Sequence, residues 1–331
     1  MANLQLSIAL SANARTGPLR DGTVSPEGID LLCTTLHPSE MFWRQLHFAE
    51  FDVSEMSLSS LLIITVRRDT RWVALPIFTT RAFFHTGILV RTGSGIEHPA
   101  DLRDKRVGVP EYQMTAALWA RGMLQHEFGV TPADIEWYME RTEERSHGGA
   151  TGFQPPPGIR FHRLPPEKSI ASCLLSGELD ASLFYIADAN LVDRSRVDLR
   201  NDRRVHPLFP DPVAEGARYY QKTGIFPMNH CVVVRRTLYE RYPWLGLNLY
   251  NAFVSAKERI ATQTRELVDV YLSMGLLTPE IGAVFVTDPF PYGVKRNRNT
   301  LETLARYSYE QGLTPRVVTL EEIFAPNTLA L

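Results

Sequence analysis

The sequence predicts an α/β protein of two units, each a mainly parallel sheet flanked by helices, with a ligand cleft between them. Three observations carry this. Short β-rich apolar runs alternate with helical repeats along most of the 331 residues, the pattern that builds parallel sheets. The alternation restarts near residue 97, which calls for a second sheet. After residue 237 the chain is mostly helical, and those helices need something to pack on. The simplest topology returns the chain to the first unit at residues 224–236. The expected division is therefore a discontinuous first domain, 1–95 plus 225–331 with the C-terminal helices, and an inserted second domain, 96–224.

The elements follow in order. LQLSIALSA alternates and stops at polar residues, as a strand entering a turn does. ARTGPLRDGTVSPEG is punctuated by Gly and Pro and reads as a loop. GIDLLCTTL is a second strand, and HPSEMFWRQLHF opens with Pro38 and repeats Met41, Phe42 and Leu46 at helical spacing. FDVSEMSLSSLLIITVRR gives a short strand, a Ser/Glu corner and a helix; WVALPIF and FFHTGILVR read as two more strands. In the second unit KRVGVP is a strand, QMTAALWARGMLQHEF an amphipathic helix stopped by Gly129, and DIEWYME a strand. Residues 142–158 are a Gly/Pro-rich loop. IRFHRLP, SIASCLLSGELD and ASLFYI then read strand, helix, strand, and a variable stretch covers 188–223. GIFPMNHCVVVRR has the same grammar as FFHTGILVR: a histidine, an apolar β-branched run, then arginine. These two segments are the expected crossings between units, and the cleft they border is where ligands bind.

Composition narrows the function classes. Hydrophobic residues make up 44% and charged residues 22%, as in an ordinary globular protein. The net charge of −2 argues against a nucleic-acid partner, which needs a clustered basic excess. Cys33, Cys173 and Cys231 are scattered and lack metal-ligand or disulfide spacing. No run approaches 18 apolar residues, so no membrane span or membrane partner is expected. The N-terminal MANLQLSIALSANAR reads as a first strand rather than a secretory signal, so a cytoplasmic location is expected.

Two sets of motifs carry a resemblance. Asp101, Leu102, Lys105, Val107, Gly108 and Val109, in IEHPADLRDKRVGVPEYQMTAALWARGML, resemble the domain-entry motif of type 2 periplasmic-binding-protein folds. DVSEMSLSSLL, LPIFTTRAFFHTGILVR and the C-terminal DPFPYGVKRNRNTLETLARYSYEQGL together resemble 4,5-dihydroxyphthalate decarboxylases over essentially the whole chain. The resemblance implies a cytoplasmic carboxy-lyase of phthalate breakdown with a small aromatic di-acid substrate. It further implies a homo-oligomer and the binding-protein fold put to chemical use. The other reading is a non-catalytic cytoplasmic small-anion binding or sensor protein of the same fold. An enzyme of pyrimidine or thiamin-precursor metabolism is a third, with no His/Cys cluster to recommend it.

Losing CO₂ from such an arene needs a base for the phenol, an acid for the ring carbon and donors for the retained carboxylate. No organic cofactor or metal is required, and no H-x-x-x-H spacing suggests one. His230 and His85 are the acid–base candidates, because histidine titrates near neutral pH; each also reads as a hydrogen-bonded structural group. Glu111, after Pro110 at a strand end, is the third catalytic candidate, or else a first-turn helix carboxylate. For substrate binding, Tyr112, Gln113 and Thr115 stand at one helix start and Ser57, Ser59 and Ser60 at another, where free N–H groups hold anions or where caps belong. Arg81, in the otherwise apolar TTRAFF, is the favoured carboxylate fork. Arg15 is a second choice that also reads as a solvated loop charge. Tyr185 and Asn229 complete the candidate set. His147 reads as disordered surface before it reads as part of a lid, and the KRNRN cluster at 295–299 as a solvated face or subunit contact.

Overall fold

A computed structural model describes residues 3–284 and 287–331. The strands in chain order are β1 (Leu4–Leu10), β2 (Ile29–Thr35), β3 (Val53–Ser57), β4 (Trp72–Leu75), β5 (Leu89–Arg91), β6 (Arg106–Val109), β7 (Glu136–Met139), β8 (Arg160–Arg163), β9 (Ala181–Ser182), β10 (Val205–Pro207) and β11 (His230–Arg235). They form two sheets, ordered β2-β1-β3-β11-β4 and β10-β5-β9-β6-β7-β8. In the first, β1 is parallel to β2 and β3, while β11 is antiparallel to both β3 and β4. In the second, β9, β6, β7 and β8 are parallel and β5 is antiparallel to β9 and β10. Each sheet thus takes one reversed strand, the one that follows a crossing from the other sheet. Such a strand starts where its parallel neighbours end, which is the ligand edge of an open α/β sheet.

The two crossings lie side by side. Ala82 N–H donates to Pro227 O (3.2 Å) and Asn229 N–H to Thr80 O (2.9 Å), flanking an antiparallel bridge between Arg81 and Met228. Cys231 to Val234 are wholly buried between β3 and β4, as an unbroken apolar run predicts. The C-terminal helices pack on the first sheet. Leu249, Phe253 and Ala256 of the helix Leu245–Ser273 cover Leu6, Ile8, Val73 and Val232. The helix Thr115–Phe128 of the inserted segment meets Val294–Glu310 at Gly122, where an added Cβ would lie 2.0 Å from the Tyr307 ring. Glycine is required there by close approach. No helix among the described residues is long and apolar enough to cross a membrane.

Three segments depart from the expectation. FFHTGILVR is a 3₁₀ turn, Phe84–Gly87, followed by only a three-residue strand. Phe84 and His85 are both buried within that turn. ASLFYI keeps its strand only over Ala181–Ser182 before turning along the cleft. The 142–158 loop is not disordered surface around His147. It holds a short helix, His147–Thr151, with His147 at 2% exposure, because buried polar groups from both units meet there.

Candidate active site

A cavity of about 1160 Å³ opens where the parallel strands of both sheets end. Its wall takes Ser11 and Asn13 from after β1, His37 from after β2, Ser57 from the end of β3, and Asn229 and His230 from the start of β11. The second sheet contributes Thr115, Arg141 and the Phe184–Asp188 stretch that follows β9.

His230 anchors the first wall. Its Nδ1 lies 3.0 Å from Glu55 Oε2, and Phe42 packs edge-on against its ring at 4.7 Å. Glu55 is wholly buried in the middle of β3. A buried carboxylate is tolerated only when hydrogen-bonded and charge-balanced. Glu55 Oε1 accepts from Ser11 N–H (2.7 Å) and Ser11 O–H (2.6 Å), and Oε2 accepts from the Thr79 hydroxyl (2.6 Å). Burial pushes the Glu55 carboxyl up, but the His230 hydrogen bond and charge, with the Ser11 and Thr79 hydroxyls, hold it below the ordinary value. The ionised carboxylate only accepts, so Nδ1 carries a proton and Nε2 is the ring nitrogen left for chemistry. Glu55 is not among the residues singled out above. Its signal was a lone acid inside the strand VSEMS.

A second buried cluster backs the opposite wall. Arg141, 1% exposed, donates Nε–H to Asp193 Oδ1 (2.7 Å) and Nη2–H to Asp193 Oδ2 (3.1 Å) and to Ser39 Oγ (2.7 Å). This fork opposes the burial of Asp193 and keeps its carboxyl below the usual range. His147 Nε2 lies 3.0 Å from Ser39 O and 3.2 Å from Arg141 Nη1. Burial, and then Arg141, push His147 down to about 3, so it is neutral at physiological pH. Glu111 sits behind, accepting from Ser146 O–H and His147 N–H, both at 3.0 Å. Burial pushes its carboxyl up despite Arg141 at 3.9 Å. Ser39 belongs to the helix Pro38–Phe48, which follows β2 of the first sheet, and Arg141 follows β7 of the second, so this cluster ties the ends of the two sheets together.

Of the residues singled out from the sequence, His230, Asn229, Ser57, Thr115 and Tyr185 stand on the cavity wall. Ser57 Oγ and Thr115 Oγ1 meet at 2.8 Å, and Ser59 N–H donates to Thr115 Oγ1 (2.9 Å), so the two helix starts touch. Tyr185 Oη accepts from Leu199 N–H (3.0 Å). His147, read from the sequence as surface, also lines it, and the others lie off the wall. His85 is turned away from the cavity to Glu215 (2.9 Å) and packs edge-on against Phe209. Arg81 donates to the carbonyls of Phe226 (2.8 Å) and Pro291 (3.0 Å) and to Asn297. It ties the crossings to the C-terminal block rather than forking a ligand. Arg15 donates to Thr79 O (2.7 Å) with its guanidinium 3.8 Å over Phe290. Tyr112 is stacked between Phe153 and Arg121, and Gln113 accepts from Thr151 (2.9 Å). Ser59 and Ser60 are wholly buried, and Glu111 lies behind Arg141. The wall cations are instead Arg141, Arg196 and Arg200; Arg200 pairs with Asp198 at 2.6 Å, and Arg196 donates to the carbonyls of Ser195 and Asn190. They were missed because nothing local in the sequence marks which arginines of a loop turn inward.

Comparison with known proteins places this architecture. No family model matches the chain. Among solved structures, the alkanesulfonate-binding protein SsuA of Xanthomonas axonopodis pv. citri superposes with a TM-score of 0.57 at 12% identity, covering 98% of this chain and 99% of that one. The desulfurization enzyme DSZB does so at 0.51 and 17%, covering 99% and 98%. These likenesses establish the periplasmic-binding-protein fold and nothing more. Sequence goes further. A 4,5-dihydroxyphthalate decarboxylase of Comamonas testosteroni is 32% identical over 332 residues, 99% of this chain and 98% of that protein. A second, of Pseudomonas putida, is 38% identical over 181 residues, 55% of this chain and 70% of that protein. With the fold, length and sequence in agreement from end to end, this chain belongs to the 4,5-dihydroxyphthalate decarboxylase family.

Proposed function

We propose that the cavity converts 4,5-dihydroxyphthalate to protocatechuate and CO₂, with His230 as the acid–base group and Glu55 as the residue that positions it. The relatives' names make this chain a carboxy-lyase acting on a dihydroxylated aromatic di-acid. The observation that carries the residue assignment is the buried Glu55–His230 couple opening onto the cavity.

The hydroxyl para to the departing carboxylate gives its proton to the Nε2 lone pair of His230 and pushes an electron pair toward the ipso carbon. His230 delivers a proton to that carbon, forming a dienone-like intermediate. The bond to the carboxylate then breaks, its electron pair restores the aromatic ring, and CO₂ leaves. Re-protonation of the phenolate closes the cycle, with one proton taken up per turnover. A precisely aimed Nε2 is what this route needs from the protein. The retained carboxylate faces Arg196 and Arg141 and the N–H groups at the start of the helix Thr115–Phe128.

The same reading keeps residues 1–95 with 225–331 as one unit and 96–224 as the other. Sheet membership supports it except at β5, which precedes residue 96 and yet joins the second sheet. A cytoplasmic homo-oligomer working without a cofactor completes the proposal. The test is to incubate purified, chelator-treated protein with 4,5-dihydroxyphthalate and follow CO₂ and protocatechuate. Turnover that falls ~10²–10⁴-fold in His230→Gln is the expected result. Binding without turnover in the wild type would overturn the proposal, and near-normal turnover in His230→Gln would remove His230 from it.

A further inference from the structure

His37 caps the helix Pro38–Phe48: its Nδ1 accepts from Ser39 N–H at 3.3 Å. Ser, Thr, Asp or Asn normally holds that position. A histidine there departs from the norm at the wall of the cavity, where local rules are broken for function. A backbone amide can only donate, so His37 Nδ1 must carry a lone pair. The ring proton of the neutral imidazole is then on Nε2. Among the described residues Nε2 has no hydrogen-bond partner, while the residue lines the cavity. His230 is the opposite case: Glu55 only accepts, so Nδ1 holds a proton, and in the neutral ring the lone pair is on Nε2. Two imidazoles of opposite tautomer therefore share one cavity.

Building on the decarboxylase reading, we infer that His37 is a second catalytic residue, a neutral imidazole that donates Nε2–H to an oxygen anion of the substrate while His230 exchanges the proton. Protonating His37 would set an Nδ1–H against Ser39 N–H and undo the cap. Burial, first among the causes, also pushes His37 below its ordinary value. Arg141 and His230 act in the same direction, and Asp193 and Asp188 oppose them. A donor that stays neutral stabilises developing oxyanion charge without taking part in proton transfer.

The test has two arms. Long-range ¹H–¹⁵N spectra of histidine-labelled protein at neutral pH, assigned with His37→Asn and His230→Gln, read the tautomers directly. His37 in the Nε2–H form and His230 in the Nδ1–H form are expected. An Nδ1–H or doubly protonated His37 would overturn the inference whether or not the protein decarboxylates anything. In the kinetic arm, His37→Asn keeps an oxygen to accept from Ser39 N–H but loses the donor at the Nε2 position. Its turnover is expected to fall about 10²-fold at an unchanged melting temperature, with partial recovery in His37→Gln. Turnover of His37→Asn within about twofold of wild type would also overturn it. Wild-type turnover is the separate control that tests the decarboxylase reading itself.

Discussion

His85 and His230 stand in matching stretches of sequence, and each ring nitrogen meets a carboxylate, at 2.9 Å and 3.0 Å. Their surroundings differ. His230 is the first residue of β11 and pairs in register with Ser57, the last residue of β3. It therefore sits at the strand ends, with Glu55 behind it and the cavity in front. His85 lies four residues before β5, in a 3₁₀ turn whose neighbours Phe84 and Thr86 line the cavity. Its own ring is turned back to Glu215 on the helix Pro212–Thr223, between Phe209 and Tyr219. Glu215 is further tied to Arg218, a surface residue. One histidine–carboxylate pair opens onto a cavity; the other staples a helix to a crossing. Chemistry follows from where a pair faces, not from the pair.

Four measurements break or sharpen this contrast. The largest effect belongs to Glu55→Gln, which removes the charge that orients His230 while conserving shape. A ~10²–10⁴-fold fall in kcat with KM nearly unchanged is expected, and a wild-type kcat would make Glu55 a purely structural acid. Next is Arg81→Ala at the first crossing. It strands the carbonyl of Phe226, takes one of two donors from Pro291 O and is expected to lower stability by about 2–4 kcal/mol in urea denaturation. Its KM should stay put; a raised KM with normal stability would restore Arg81 as a substrate fork. Then comes His85→Gln, expected to cost about 1–2 kcal/mol of stability while kcat stays within a few-fold of wild type. A collapse of kcat in that variant would erase the distinction between the two histidines.

The smallest effect is a pH slope. His147 sits at about 3 in the folded protein, against about 6.5 for a free histidine. Between those values the unfolded chain binds the proton and the folded protein does not. His147 therefore favours folding fully above about pH 6.5, and that contribution is lost as pH falls toward 3, by at most ~1.4 kcal/mol per unit. Urea midpoints at pH 7 and 5.5 should differ less in His147→Gln than in wild type. Equal differences would mean that the Ser39–Arg141 cluster tolerates a protonated ring.

Much of the fold was legible because its signals are local. The Cys231–Val234 run, Gly129 after an amphipathic helix, and the restart of alternation near residue 97 each follow from side-chain periodicity and backbone freedom. The site was legible in part. His230 and Asn229 were found because a polar step opens an apolar strand, and Thr115 and Ser57 because they open helices. Arg81 was misread because a charged residue in an apolar stretch must have a partner, and the sequence cannot say whether that partner is a ligand or distant carbonyls such as Pro291 O. Glu55 and Arg141 were missed for a related reason: their partners come from Thr79 and Asp193, on other elements of the chain; His37 was missed although its partner Ser39 is two residues on, because histidine is not a usual helix cap.

By itself the sequence determined the α/β class, the two sheets with a returning chain, the strand mouth at His230 and the family. Tertiary structure alone decided which of two similar histidines meets the cavity, which arginines face it, and that Glu55 stands behind His230. The physical reason is range. Periodicity, caps and turns act over a few residues, whereas the cost of burying a charge is settled by whichever groups the fold brings within hydrogen-bond reach.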